Sequence, residues 1–298
     1  MKPKTVAIIG AGGRGTLFAD IIGEYGHLGK VVAVAEPKDD YRQSMAAKHG
    51  VKKDMCFNTW QEFVARPKLC DAVVVATMDR EHVEPAVACL NKGYDMLLEK
   101  PMAPSLAECR AIEQAQRKSG GIVAVCHSLR YHKEFRKVRD LVASGAIGRL
   151  ITVDMVEGVA TWHQAHSFVR GNWGNEAKSA FMLLAKCCHD IDYLCFLTGQ
   201  PARYVSSFGS LTYFRKENAP EGAADRCTDN CPCEPTCQYS AIKQYVNSDR
   251  ETWPPKVVSY DHSYEAHLKA IQTGPYGRCV WKCDNDVVDH QSVIVEFA

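Results

Sequence analysis

The segment TVAIIGAGGRG, residues 5–15, decides the fold of the first half of this 298-residue chain. Its apolar run TVAIIG has the length and composition of a buried strand. Glycines with the spacing G-x-G-x-x-G follow at once, and the helical stretch TLFADIIGEYG comes next. A strand, a glycine turn and a helix in this order are typical of a dinucleotide-binding unit.

Each glycine of this turn has a distinct predicted task. Gly10 permits the tight turn, Gly12 lets the backbone approach a pyrophosphate, and Gly15 lets the helix pack closely on the strand. The N-terminus of the following helix then faces the phosphate charge. The loop residues predicted to bind the cofactor are Gly10, Gly12, Gly13, Arg14 and Gly15.

A second strand-like run, KVVAVAE, ends in Glu36, about 20 residues beyond the glycines. A carboxylate at this position accepts hydrogen bonds from both ribose hydroxyls and repels a 2′-phosphate. Glu36 therefore predicts NAD as the cofactor in preference to NADP, and Lys38 is the one feature that favours NADP.

Strand-like and helical runs continue to alternate through the first half. DAVVVAT (71–77), YDMLLEK (94–100) and GIVAVCH read as further strands, separated by the helical runs EHVEPAVACLNKG and SLAECRAIEQAQRKSG. Ser105 is the predicted N-cap of the last helix, with Glu108 completing a capping box. The alternation predicts an α/β Rossmann domain, a doubly wound parallel sheet over residues 1–127.

Composition and charge limit the classes of partner. Hydrophobic residues make up 46% of the chain and charged residues 24%, as in ordinary globular proteins. A net charge of +1 favours neither a nucleic acid nor a membrane surface. No apolar run approaches the roughly 20 residues of a membrane helix. The first residues show no signal-peptide pattern, and the 14 cysteines read as reduced thiols, so we expect a cytoplasmic protein.

The run VATMDREHVEPAVACLNKGYDMLLEKPMA resembles the Glu-Lys-Pro signature region of the Gfo/Idh/MocA oxidoreductases, the relatives of glucose–fructose oxidoreductase and inositol dehydrogenase. The matching residues are Ala76, Thr77, His82, Gly93, Glu99, Lys100 and Pro101. Together with the glycine loop, this ordered set is specific, and the resemblance covers roughly residues 4–200.

The resemblance implies that Lys100 lies beside the nicotinamide and helps to move the proton of the oxidised hydroxyl. A cationic amine at the carboxyl end of a strand can stabilise a developing alkoxide, because ligands bind at that edge of open α/β sheets. The alternative is a lysine that merely solvates a strand end. The resemblance adds Thr77, His82, Glu99 and Lys100 to the predicted cofactor-binding residues.

The second signature of the family, Asp-x-Gly-x-His-x-x-Asp on a helix, falls on AKCCHDID, residues 185–192. His189 and Asp192 match its last two polar positions. Ala185 replaces the first aspartate and Cys187 replaces the glycine, which puts the family's proton shuttle in doubt here.

Helical spacing separates this segment into two faces. Cys187 and Cys188 fall on an apolar arc and read as small core residues. Lys186, His189 and Asp192 fall on a polar arc, where His189 is the predicted acid or base and the other two are predicted to bind substrate. The alternative is a surface histidine capped by Asp192.

Residues 128–298 are predicted to form an α+β domain with an open, mostly antiparallel sheet. RYHKEFRKVRDLVASGAIGRL reads as a helix ending at Gly145, and LITVDMVEG and HQSVIVEFA read as strands. TWHQAHSFVRGNWGN reads as an irregular loop rich in groups that bind sugars, with His166 and Arg170 as candidate substrate ligands; a plain solvated loop is the alternative. Family members usually run longer, so we expect a short or truncated chain, and a homo-oligomer formed through the sheet.

Four cysteines cluster in RCTDNCPCEPTC, at Cys227, Cys231, Cys233 and Cys237. Their spacings differ from the paired C-x2-C of common zinc ribbons. Cys279 and Cys283 form a second group, separated from these four in sequence, that could complete a site in space. The sequence favours a set of reduced thiols with no metal, and a structural zinc site is the alternative.

Three functions are compatible with these residues. The leading hypothesis is an NAD(P)-dependent oxidoreductase acting on a hydroxyl or keto group of a sugar, cyclitol or sugar derivative. The second is glycoside cleavage through transient oxidation and elimination, with the cofactor regenerated. The third is a non-catalytic dinucleotide sensor, which the presence of both Lys100 and His189 disfavours.

Overall fold

The computed structural model describes residues 2–298 and divides them into two compact units. The first unit ends at Cys126 and the second runs from His127 to Ala298. Across residues 2–298, every helix is too short or too polar to cross a membrane.

The first unit contains a six-stranded sheet in which every neighbouring pair of strands is parallel. The strands are β1 Lys4–Ile9, β2 Gly29–Ala35, β3 Cys56–Phe57, β4 Ala72–Val75, β5 Asp95–Leu98 and β6 Val123–Val125. The helices are α1 Gly13–Glu24, α2 Asp39–His49, α3 Trp60–Ala65, α4 Val83–Asn91 and α5 Leu106–Ser119. The sheet order β3-β2-β1-β4-β5-β6 confirms the doubly wound Rossmann prediction.

Apolar residues cover both faces of this sheet, as a parallel sheet between two helical layers requires. Successive residues of β1 point to opposite faces, so Ala7 and Ile9 enter one hydrophobic cluster and Ile8 enters another. The first cluster includes Phe63 and Leu90 and the second includes helix and strand residues around β2. Burial on both faces explains why these strands appear as continuous apolar runs.

Two glycines of the first turn occupy positions that a side chain cannot. Gly10 has φ +90°, and a Cβ there would lie 2.6 Å from the carbonyl oxygen of Ala76. A Cβ on Gly15 would lie 1.9 Å from the carbonyl oxygen of Gly10. A Cβ on Gly12 would meet nothing within 4 Å, so this position opens onto free space.

The start of α5 follows the predicted capping pattern in part. The Ser105 hydroxyl accepts a hydrogen bond from the Glu108 backbone N–H at 3.3 Å, which confirms the N-cap. The same hydroxyl lies 2.6 Å from the Glu108 carboxylate and donates to it. The carboxylate therefore caps the serine side chain instead of the serine backbone.

The second unit combines short helices with a two-stranded antiparallel sheet. Its helices are α6 Lys133–Ala143, α7 Thr161–His163, the π-helix Gln164–Arg170, α8 Met182–Ala185, α9 Cys188–Thr198, the π-helix Ile242–Val246 and α10 Tyr264–Thr273. Its strands are β7 Ala202–Ser210 and β8 His290–Phe297. Short 3₁₀ turns lie in the second unit at Ser128–Tyr131, Lys216–Asn218, Pro255–Val257, Pro275–Gly277 and Val280–Lys282. The first unit has two such turns, at Lys53–Met55 and Asp79–Glu81.

Three local predictions in the second unit were wrong. LITVDMVEG, residues 150–158, forms no strand and pairs with neither β7 nor β8. The loop predicted at residues 161–175 is largely helical and buried over 164–170. The helix predicted through AKCCHDID is broken at residues 186–187, where α8 has ended and α9 has not begun.

The glycine contacts predict opposite results for two neighbouring substitutions. Gly15→Ala should lower the free energy of unfolding by at least ~2 kcal/mol, because its Cβ would overlap a backbone oxygen that cannot move aside. Gly12→Ala should cost less than ~1 kcal/mol, because its Cβ enters open space. Urea unfolding followed by circular dichroism measures both values. Equal losses for the two variants would contradict this account of the turn.

Candidate functional site

Glu36 fixes the glycine loop from the end of β2. Its side chain is buried, and its carboxylate accepts hydrogen bonds from the backbone N–H of Ala11 at 2.7 Å and of Lys38 at 2.9 Å. Arg42 from α2 donates to the Glu36 backbone carbonyl. The carboxylate is thus held at the mouth of the loop, where a ribose would have to bind.

The loop and the start of α1 fit a dinucleotide pyrophosphate. The side-chain position of Gly12 is open, and α1 begins at Gly13 without any side-chain cap on its first backbone N–H groups. Helix N-termini leave such N–H groups without helical partners, and their partial positive charge favours an anion. The open space at Gly12 leaves room for a phosphate next to the loop backbone.

Glu99 joins the glycine loop to Lys100 through its two carboxylate oxygens. One oxygen accepts from the Arg14 side chain at 2.5 Å, and the other accepts from the backbone N–H of Lys100 at 2.9 Å. Glu99 is 4% exposed, so this ion pair is shielded from water on the carboxylate side. The pairing orients the backbone at Lys100, whose side chain is half-buried at the carboxyl end of β5.

His82 lies behind this edge and is fully buried. Its Nδ1 is 2.8 Å from the carbonyl oxygen of Pro101, and its Nε2 is 3.2 Å from that of Thr77. The Thr77 hydroxyl donates to the carbonyl oxygen of Glu81. His82 and Thr77 thus brace the segment after Lys100 through backbone carbonyl groups, and the imidazole has no exposed edge.

In the second unit, α9 carries the predicted acid or base and one predicted substrate residue. Arg130 holds Asp192 through two hydrogen bonds of 2.7 and 2.6 Å, and this contact raises the pKa of the guanidinium. His127 Nε2 lies 4.0 Å from the same carboxylate. The His189 ring meets the His127 ring edge-on, with centroids 5.8 Å apart. His127, Arg130, His189 and Asp192 therefore form one polar cluster.

A second group of polar residues lies near residues 186–187, where the helix is interrupted between α8 and α9. Lys186 pairs with Glu157 at 2.6 Å, and both side chains remain partly exposed. Burial, followed by the charge of Glu157, raises the pKa of the Asp190 carboxyl. Burial also raises the pKa of the Cys187 thiol to about 12, so this cysteine is a neutral thiol.

Arg170 and His166, both candidate substrate ligands, lie inside the second unit. The Arg170 side chain is 1% exposed, and its guanidinium donates to the backbone carbonyls of Arg278 and Tyr239 at 2.7 Å each. Burial lowers the pKa of His166 to about 3, with smaller effects of the charges on His163 and Arg170. His166 stacks on Tyr276 at 4.7 Å. These contacts give both residues a packing role inside the second unit.

Three partners in these clusters, Arg130, Glu157 and His127, were not among the predicted site residues. Arg130 lies 62 positions from Asp192, and Glu157 lies 29 positions from Lys186. His127 directly follows the last strand of the first unit in sequence and also belongs to the cluster around Asp192. The histidine and arginine content of HSLRYH, residues 127–132, could have indicated His127 and Arg130, whereas no local signal marks Glu157.

Two models of protein families match the chain. One, described as an oxidoreductase family with an NAD-binding Rossmann fold, matches residues 4–127, and the other, described as the GFO/IDH/MocA C-terminal domain, matches residues 135–230.

Individual proteins agree with these models. The chain is 31% identical over 181 residues to 1,5-anhydro-D-fructose reductase of Ensifer adhaerens, and this alignment covers 60% of this chain and 52% of the reductase. It is 26% identical over 206 residues to myo-inositol 2-dehydrogenase of Thermotoga maritima, which covers 69% of this chain and 58% of that protein. The chain thus spans about half the length of these relatives.

Solved structures share the fold. The WlbA dehydrogenase of Bordetella pertussis, solved in complex with NADH and UDP-GlcNAcA, is 19% identical and superposes with a TM-score of 0.60 over 70% of this chain and 62% of its own. With the glycine loop and the Glu-Lys-Pro sequence in place and both domain models matched, the chain belongs to the Gfo/Idh/MocA family of oxidoreductases.

Proposed function

We propose that this protein is an NAD-dependent oxidoreductase that transfers hydride between the cofactor and a hydroxyl or keto group of a sugar, cyclitol or sugar derivative. The observation that carries the proposal is the arrangement around Glu99, which ties the phosphate-binding loop to Lys100 in one hydrogen-bonded unit. Two relatives named for a sugar derivative and a cyclitol support the substrate class. The 14 free thiols support a reducing, cytoplasmic setting.

The cofactor assignment rests on Glu36. Its carboxylate is anchored by two backbone N–H groups and keeps lone pairs that can accept from ribose hydroxyls. The same negative charge opposes a 2′-phosphate. Bound NAD would supply the hydride acceptor, while the loop at Gly12 and the N-terminus of α1 would hold the pyrophosphate.

Lys100 is assigned to the oxygen of the substrate that gains negative charge as hydride leaves its carbon. An ammonium group there stabilises the developing alkoxide and can exchange a proton with it. The side chain follows a strand end at which ligands of open α/β sheets bind. Glu99 and His82 position the backbone on either side of it.

His189 is assigned to proton transfer with the substrate hydroxyl. Ala185 cannot supply the carboxylate that the family signature places one helical turn before this histidine. In this chain, Asp192 is neutralised by Arg130, and Lys186 is neutralised by Glu157. His189 matches the histidine of the signature and lies in the polar cluster with His127, Arg130 and Asp192.

A substrate panel tests the proposal directly. Free sugars, cyclitols and glycosides are incubated with the protein and NAD, and each reaction is assayed for NADH formation and for bond cleavage. We expect NADH to accumulate with at least one free sugar or cyclitol. Glycoside cleavage without net NADH would favour the transient-oxidation chemistry, and NAD binding without turnover on any compound would favour the sensor.

The cofactor preference is tested by calorimetry. NAD(H) should bind at least ~10-fold more tightly than NADP(H), and Glu36→Gln should narrow this ratio because the variant loses the repelling charge. Asp40→Asn is the matched control, since it removes an exposed negative charge from the first turn of α2 without touching Ala11. Equal or tighter binding of NADP(H) by the unaltered protein would overturn the assignment.

Two substitutions separate catalysis from scaffolding. Lys100→Met should lower kcat on the best substrate by about 10²-fold or more, with the Kd for NAD changed far less, because the amine acts on transition-state charge. His189→Ala should lower kcat by about 10²–10⁴-fold with little change in Tm. Cys188→Ala, one residue away, should cost ~1 kcal/mol of stability and retain kcat. Unchanged turnover in Lys100→Met would show that this lysine is only a strand-end cation.

A further inference from the structure

Five cysteines surround a small cavity in the second unit. Cys227, Cys231, Cys233, Cys237 and Cys279 line a space of about 20 Å³. A space of this size holds a single water-sized particle or ion and is too small for a cofactor. The cavity belongs neither to the dinucleotide loop nor to the cluster around His189.

The fold brings Cys279 to the other four from a distant part of the chain. An antiparallel bridge joins Arg226 to Arg278. Beside it, the backbone N–H of Cys227 donates to the carbonyl of Gly277 at 3.0 Å, and that of Cys279 donates to the carbonyl of Asp225 at 2.8 Å. The bridge fixes two of the cysteines side by side.

A tight turn places a third cysteine next to the bridge. Asn230 adopts φ +52°, the left-handed conformation, directly before Cys231. The chain thereby reverses within the three residues that separate Cys227 from Cys231. Such reversals between two cysteines are common at metal sites, because they direct both sulfur atoms to one centre.

Backbone N–H groups point at three of the sulfur atoms. Cys227 Sγ accepts from the backbone N–H of Ala241 at 3.4 Å. The N–H of Tyr239 interacts in the same way with Cys237, and that of Trp281 with Cys279. A neutral thiol is a weak acceptor, whereas a metal-bound thiolate gains from such donors.

Positive charge also surrounds the cavity. The buried Arg170 guanidinium lies 3.6 Å from Cys227 Sγ, and Lys282 interacts with Cys231 and Cys279. Four thiolates around one divalent ion carry a net charge of −2, which a buried site must balance. Arg170 and Lys282 provide this balancing positive charge. The negative charge of the metal site would in turn explain why the Arg170 side chain is buried.

Cys233 differs from the other four. Its thiol donates to the carbonyl oxygen of Glu221 at 3.4 Å and so already has a backbone acceptor. Cys283 likewise donates to the carbonyl oxygen of Cys279 at 3.3 Å and does not line the cavity. Removing these two leaves four cysteines, the number that a tetrahedral zinc site requires.

We propose that Cys227, Cys231, Cys237 and Cys279 bind one structural zinc ion. Within residues 2–298, no three side chains of His, Cys, Asp or Glu are already arranged to hold a metal ion. The four thiols must therefore turn toward the centre of the cavity as the ion enters. Each loses its proton to solvent as its Zn–S bond forms, and no oxidation state changes. The site is independent of the proposed oxidoreductase chemistry. It replaces the prediction of metal-free thiols, which was based on the spacing of the cysteines, with the alternative of a zinc site.

Metal analysis of the whole protein tests the proposal. The chain is expressed in medium containing zinc and purified by gel filtration in metal-free buffer. Its metal content is then measured by inductively coupled plasma mass spectrometry. We expect about one zinc per chain, and a fall in Tm when a chelator removes it. Folded protein that contains no zinc and binds none on addition of Zn²⁺ would overturn the proposal, and iron with labile sulfide would overturn the identity of the ion.

Ligand identity is tested by substitution and by cobalt. Cys279→Ser and Cys237→Ser should lose most of the zinc, whereas the matched controls Cys233→Ser and Cys283→Ser should retain it. Because ligand variants can fail to fold, Co²⁺ is also added to the unaltered chain freed of zinc. The spectrum should show tetrahedral d–d bands and sulfur-to-cobalt charge transfer. Loss of zinc in Cys233→Ser equal to that in Cys237→Ser, or a cobalt spectrum without thiolate bands, would refute the ligand set.

Discussion

The close approach of Gly15 to the carbonyl oxygen of Gly10 is the constraint on which the first unit depends. No side chain fits between them, and the positive φ of Gly10 turns the chain sharply from β1 into α1. This turn aims the N-terminus of α1 across the carboxyl edge of the sheet, where its N–H groups meet an anion. The order of the strands then places Glu36 and Lys100 at the same edge, on either side of β1.

Two buried carboxylates connect that turn to neighbouring parts of the sheet edge. Glu36 binds the loop through Ala11, and Glu99 binds it through Arg14 while also holding the backbone of Lys100. A buried carboxylate is stable only when donors surround it, so each acts as a fixed connector. The glycine loop and the strand end at Lys100 therefore form one rigid unit within the first half of the chain.

The second unit achieves rigidity by other means. It has two strands and several short helices, and much of its organisation rests on buried polar groups such as Arg170 and on pairs such as Arg130 with Asp192. The departure of Ala185 from the family signature removes a carboxylate, while Lys186 pairs with Glu157 and Asp192 pairs with Arg130. A zinc ion among the four cysteines would add a cross-link to a region with few long elements.

The sequence by itself determined the Rossmann half, because its signals are local. The strand TVAIIG, the glycine spacing and the N-cap Ser105 each depend on neighbours within a few positions, and both faces of the sheet are buried. The second half depends on contacts between distant residues, which no periodicity encodes. Arg170 and His166 have the composition of a binding loop, yet a buried helix encloses them. LITVDMVEG has the pattern of a strand, yet it pairs with neither β7 nor β8 and forms none. The tertiary structure alone decided which polar residues meet, as in Arg130 with Asp192 and Cys279 with the cluster at 227–237, because these contacts join parts of the chain 42 to 62 positions apart.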